Sequence, residues 1–186
     1  MKREINPEIP ELMLTEQDLL RFLDRLLHRS RVFLEEEGNT RVLGVYPTDR
    51  TLDRIDLKAI TAILTVEDRL RLIVAFSLEQ SLLESVFKGY AGGIPMKSDE
   101  VEFLMEETAG DCINIVVGNA LEEFQLSGYA FTVSTPIILK EGKSIQRYKQ
   151  SKFAAGEIHT EAGNMVVLCI NPGIYYKRTL DLEVAE

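Results

Sequence analysis

Residues 107–136, ETAGDCINIVVGNALEEFQLSGYAFTVSTP, decide how the chain folds, because they pass from a long helix through a Ser-Gly turn into a strand. Met105, Ala109, Cys112, Val116 and Ala120 recur at helical spacing and fall on one side of an ideal wheel, which marks them as core. Glu107, Asp111, Asn114, Gly118 and Gln125 fall opposite. Three positions at about 100° each bring Asp111 and Asn114 onto one face, where an acid and an amide can act together. Phe103, Val117 and Leu121 flank that strip. Gly110 and Gly118 lie in the helix interior, where each costs about 1 kcal/mol against alanine. Close approach of another protein would offset that cost, and so would tight packing within the domain or a dimer.

Working outward, Ser98, Asp99 and Glu100 open the long helix, with acids at the positive end of its dipole. After it come YAFTVSTPIIL with Pro136 inside, a Lys-Glu-Gly-Lys turn, and the strands KFAAGEIHT and NMVVLCINP. Near the start, Thr15 and Asp18 form a capping box for a first helix reaching about Glu37, whose apolar positions Leu19, Leu20, Leu23, Leu26, Leu27 and Phe33 recur at helical spacing. His28 on that helix reads as a solvated histidine. The stretches RVLGVYP, IDLKAITAIL and RLRLIVAFS are rich in branched residues and predict a meander, with Glu67-Asp68 as a hairpin turn. Ser77 with Gln80 predicts the cap of a second helix through about Lys88, stopped by Gly89. The GYAGGIP loop lacks the Gly-Lys-Ser/Thr of a phosphate-binding loop. The element order predicts an α+β fold, a mainly antiparallel sheet with helices packed on one face. Residues 1–14 read as an irregular lead-in, 15–180 as a single domain and 181–186 as a tail.

Composition narrows the function classes. The chain has 186 residues, 45% of them hydrophobic, enough for one well-buried domain. A net charge of -9 argues against general affinity for nucleic acid or anionic membrane and suits a partner with a basic surface. The absence of an apolar run of membrane-spanning length, and of a secretory leader in MKREINPEIPELML, predicts a cytoplasmic location. Cys112 and Cys169 lie in apolar runs and are expected as buried thiols. With His28 and His159 the only histidines, no Cys/His zinc site is expected.

Asp111-x-x-Asn114, then Gly118-Asn119-Ala120, then Ser134-Thr135-Pro136 resembles the CheC and CheX chemotaxis phosphatases, most closely CheX. The resemblance covers roughly residues 40–172. Its signature is an acid, an asparagine three residues on and a later proline; Asn114 and Pro136 match it, while Asp111 stands where the family has Glu. The resemblance implies dephosphorylation of a phosphorylated CheY-like response regulator. In that chemistry Asn114 orients the attacking water, and Asp111 pairs with the regulator's active-site lysine. An amide suits the first task because it accepts from and donates to water without repelling a phosphoryl group. The resemblance further implies a homodimer, no cofactor or metal of the chain's own because the divalent ion resides in the regulator, and a partner-binding surface of Glu107, Gly110, Val117, Gly118 and Leu121.

Two rival readings stand beside this one. Glu102, Glu106, Glu107 and Asp111 could form a carboxylate metal site or acid/base pair. A non-catalytic module of the same fold would bind a response regulator or other signalling partner without hydrolysing anything; the aspartate at the acid position favours it, since about 1 Å of lost reach can cost on the order of 100-fold in rate.

Overall fold

The computed structural model describes residues 15–48, 52–67, 71–91, 98–123, 131–147 and 151–172. The lead-in 1–14, residues 173–180 of the expected domain, the tail 181–186, Asp68, Ser127-Gly128, Gln125 and most of the GYAGGIP loop lie outside the described residues.

Among the described residues, three helices and nine strands follow in the order α1 Glu16–Glu36, β1 Val42–Pro47, β2 Arg54–Asp56, β3 Ile60–Glu67, β4 Leu72–Leu78, α2 Gln80–Ala91, α3 Ser98–Glu123, β5 Thr132–Val133, β6 Ile137–Lys140, β7 Ser144–Gln146, β8 Lys152–Thr160 and β9 Gly163–Asn171. The expected α+β architecture is present. Seven strands form an antiparallel sheet in the order β1-β8-β9-β4-β3-β5, with β6 also on β3.

Side-chain alternation divides the sheet into two faces. Leu72, Val74, Phe76 and Leu78 of β4, with Met165, Val167 and Cys169 of β9, pack with the helices into the main core. The alternate residues Ala75, Val166, Leu168 and Ile170 point the other way, into a smaller cluster with Ile55 of β2. That second cluster lies where the short β2–β7 pair crosses the sheet's outer face. The helices therefore occupy one face only.

The capping box opens α1 as its sequence predicts: Thr15 Oγ1 accepts from the Asp18 N–H at 3.1 Å, and Asp18 Oδ2 accepts from the Thr15 N–H at 3.1 Å. From there Leu19, Phe22, Leu23, Leu26, Leu27, Phe33 and Leu34 are all buried. At β8 the helix comes very close, and a Cβ on Gly156 would stand 2.8 Å from Leu27 Cδ1. His28 lies exposed on the opposite side.

Five local expectations fail for physical reasons. The first strand joins no meander, because β1 pairs with β8 from the far end of the chain. IDLKAITAIL is two strands, β2 and β3, and β2 leaves the main sheet to pair with β7. Ser77 does not cap α2; β4 continues through it, and its buried Oγ accepts from the Lys58 N–H at 2.7 Å and bonds Thr61 Oγ at 2.8 Å. Gly89 lies inside α2, where a Cβ would be 3.1 Å from the Glu37 carbonyl, so the glycine admits the end of α1. Pro136 sits in a break between β5 and β6 instead of inside one strand.

Glu79, just ahead of α2, ties that helix to β9 and to the connection between β2 and β3. Its carboxylate accepts from the Asn164 N–H at 3.1 Å and the Asn164 side-chain amide at 3.2 Å, and lies 3.5 Å from Lys58 Nζ. Burial acts to raise its pKa, but the Asn164 N–H and Lys58 more than offset this and hold it below the ordinary carboxylate value. A depressed carboxylate contributes stability above its unfolded pKa, and that contribution disappears as pH falls through the folded value. Thermal unfolding should therefore show the unaltered chain losing stability below about pH 4.5. Glu79→Gln should begin less stable at neutral pH and lose less over the same acid window.

Candidate functional site

Helix α3 packs against α1 and α2 on one side and against β3 and β6 on another. Met105, Ala109, Cys112, Val116 and Ala120 are buried as the wheel predicts, and Ile113 joins them at 0% exposure. What remains open includes a stripe carrying Glu107, Asp111, Asn114, Ile115 and Asn119, with Gly118 half-buried on the same line. Asp111 and Asn114 are both exposed, one helical turn apart on that stripe.

Val117 and Leu121 do not belong to this surface. They are 0% and 7% exposed and lie in the main core. A wheel assumes one buried face, whereas α3 is covered from two directions, and the apolar flank read as partner-facing is needed inside. Phe103, by contrast, is 62% exposed.

The two interior glycines differ. A Cβ on Gly110 would meet Ile138 Cδ1 and Pro136 Cβ at 4.0 Å, ordinary contact distance. Among the described residues, a Cβ on Gly118 would meet nothing within 4 Å. Packing within the domain therefore requires glycine at neither position, and the space over Gly118 is open for another surface.

Pro136 lies beneath Gly110, the residue before Asp111, so the proline of the motif supports the helix from below. The preceding Ser134 anchors this corner: its N–H donates to the Thr65 carbonyl at 2.9 Å, and its Oγ accepts from the Thr65 N–H at 2.9 Å. Farther along β6, Lys140 Nζ pairs with Glu102 at 2.8 Å and also with Glu106. The hydrogen bonds and charges of these two acids raise the Lys140 pKa well above its ordinary value. Two of the four carboxylates in the acid-cluster reading are thus bound to a lysine, and Glu107 and Asp111 are left exposed on the stripe.

Cys112, beside Asp111 in sequence, faces inward and is fully buried; burial first, then the Asp111 charge, pushes its thiol up to about 12. Cys169 is likewise a free, buried thiol. The sequence reading missed Ile115, 39% exposed, and Tyr90, 41% exposed, whose ring centroid lies 6.0 Å from that of Phe33. An isoleucine one step beyond Asn114 is a signal a wheel plot contains. Tyr90 lies on another helix, and no local pattern brings it here.

If no internal contact demands glycine at 118, alanine there should stabilise the isolated chain. Gly118→Ala is expected to raise the unfolding free energy by about 0.5–1 kcal/mol in urea titrations. A loss of stability would mean that the space above residue 118 is filled from within.

No family model matches this chain, and no curated protein matches it significantly. Solved structures do. A chemotaxis protein CheX from Desulfovibrio desulfuricans is 13% identical, with a TM-score of 0.65 over 80% of this chain and 97% of that one. Chemotaxis protein CheX from Vibrio vulnificus is 18% identical, with a TM-score of 0.63 over 80% and 97%. The CheX–CheY–BeF3–Mg2+ complex from Borrelia burgdorferi matches at 11% identity, with a TM-score of 0.63 over 82% and 97%. Among the described residues no helix is long and apolar enough to cross a membrane. The chain has the α+β fold of the CheX and CheC-like chemotaxis proteins.

Proposed function

We propose that this chain is a cytoplasmic phosphatase for the phospho-aspartate of a CheY-like response regulator in chemotaxis or related two-component signalling. The observation that carries the reading is the joint exposure of Asp111 and Asn114 on an open stripe of α3, beside a glycine with empty space above it. A solved structure of this fold is a CheX–CheY complex, which makes a receiver domain the natural occupant.

The chemistry asks little of the chain beyond placement. In hydrolysis of an aspartyl phosphate, a water oxygen attacks phosphorus in line with the bond to the carboxylate oxygen. That bond breaks, the carboxylate is regenerated and inorganic phosphate leaves. The divalent ion of this chemistry belongs to the regulator, and the chain contributes no cofactor. Asn114 is the group that orients the water, its carbonyl accepting a proton bond and its amide remaining uncharged near the phosphoryl oxygens. Asp111 supplies a charge-assisted contact to the regulator's active-site lysine and fixes the register of the inserted helix. Glu107 and Gly110 border the docked surface, and Gly118 allows close approach. The functional unit is a homodimer; sedimentation at micromolar concentrations should return twice the chain mass, and a monomer would count against that part of the reading.

Phosphate release from the phosphorylated regulator, with and without the chain, tests the function. Asn114→Ala should remove at least about 100-fold of the stimulated rate while leaving affinity within a few fold, since that contact acts mainly in the transition state. Asp111→Ala should also weaken docking, by about tenfold to a hundredfold, the equivalent of a charged hydrogen bond worth roughly 1.5–3 kcal/mol. Equal, small effects of both changes on a folded protein would sink the catalytic assignment.

The second reading is a non-catalytic module that binds a response regulator. Asp111 favours it, because the acid is one methylene shorter than the glutamate of the CheC and CheX pattern. Asp111→Glu separates the two. An increase in phosphate release supports a phosphatase limited by the reach of its acid, and the absence of any release from either form leaves the binding module.

A further inference from the structure

Helix α3 packs against both α1 and α2. The last turn of α2 crosses the end of α1 so closely that a Cβ on Gly89 would be 3.1 Å from the Glu37 carbonyl and 3.2 Å from the Gly38 carbonyl carbon. The next residue, Tyr90, rests one side of its ring on Phe33 of α1, centroids 6.0 Å apart and planes tilted by 36°, yet remains 41% exposed. Burial, and then the negative charges of Glu37 and Asp111, raise the phenol's pKa, so its hydroxyl stays protonated and able to donate. Helix α2, which carries Tyr90, packs against α3, which carries Asp111.

We infer that Tyr90 is an aromatic anchor of the docking surface, extending the α3 stripe across α2 and contributing affinity for the receiver domain that carries the phospho-aspartate. This rests on the proposed function and adds to it a residue that the Asp-x-x-Asn motif does not contain. Three properties support the role. A tyrosine offers a large, rigid contact area with a polar tip, the kind of side chain that dominates interface energetics. Its underside is already fixed by Phe33, so little rotamer freedom is lost on binding. Its surroundings are acidic, with Glu37 and Asp111 both exposed and the whole chain at -9. That field favours a partner face presenting lysine beside apolar area and disfavours an acidic one. Ile115 on α3, 39% exposed, supplies apolar area on the neighbouring helix.

The probe is a CheY-type receiver domain from the same organism, locked with beryllofluoride and Mg2+, with its affinity measured calorimetrically. Tyr90→Leu keeps an apolar group against Phe33 and removes the exposed half of the ring. It should raise Kd by at least about tenfold, with the loss falling on Kd and not on the rate of phosphate release at saturation. Tyr90→Phe should restore affinity to within a few fold of the unaltered chain. Phe33→Leu loosens the same ring pair from underneath and leaves the exposed half of the ring in place; it should lower the melting temperature and raise Kd by only about two- to fourfold, through the rotamer freedom it returns to Tyr90. An unchanged Kd in Tyr90→Leu, with the unaltered chain binding normally, overturns this inference and leaves the proposed function intact. An equal loss of affinity in Phe33→Leu also overturns it, because Tyr90 would then act only through packing. Failure of the unaltered chain to bind any such receiver domain sinks the inference together with the reading beneath it.

Discussion

Everything about the site depends on α3 being covered from two sides. A surface helix ordinarily buries one stripe and gives the rest to water. Here α1 and α2 take one flank, β3 and β6 take another, and Ile113, Val116 and Val117 are all 0% exposed around the axis. The open remainder is a strip along one side of the helix. Its middle carries Glu107, Asp111, Asn114, Ile115, Gly118 and Asn119, and the fold supports that line by packing the helix from beneath. Burying Val117 or Leu121 stabilises a helix that carries two interior glycines, each unfavourable by about 1 kcal/mol.

The support is built from unlike forces. Below Asp111, Pro136 contacts the helix backbone region at Gly110, and its own position is held by the paired Ser134–Thr65 hydrogen bonds. One turn and more toward the N-terminus, Lys140 binds Glu102 and Glu106. These exposed pairs contribute little to global stability. Their more specific consequence is electrostatic: the single cation offsets one of the two charges of Glu102 and Glu106, so less negative charge adjoins Glu107 and Asp111. The stripe's negative charge is thereby weighted toward those two residues.

How much of this was legible in the sequence follows the range of the forces involved. The α1 capping box, the inward set on α3 and the span of β8 were readable because each is encoded within a few residues by hydrogen-bond chemistry or periodicity. Asp111 and Asn114 sharing an exposed face was readable for the same reason. The pairing of β1 with β8 was not, since a strand's alternation specifies its faces and says nothing about its neighbour. The β2–β7 pair is three residues long on each side, too short for a periodic signal. Val117 and Leu121 went astray because a wheel contains one helix and no second layer. Ser77 and Gly89 carry the letters of a cap and a stop, and tertiary contacts use them instead as a buried hydroxyl and as clearance for α1.

The aspartate at position 111 sets the remaining physical problem. Under the proposed function its carboxylate must reach the same partner group from about one methylene farther back, and a positioning error near 1 Å is costly in a reaction catalysed by alignment. Lengthening the side chain is one solution; bringing the partner nearer is the other. A helix face with no side chain at 118 and nothing above it allows the second, since small residues permit close approach of another backbone. Tyr90 bears on the same geometry, because an exposed ring fixed against Phe33 limits how the partner can tilt about α3 as it comes closer. Reach, clearance and orientation are thus coupled. A longer acid, a bulkier residue at 118 and a smaller one at 90 would each alter the same docking distance, so their effects should combine non-additively.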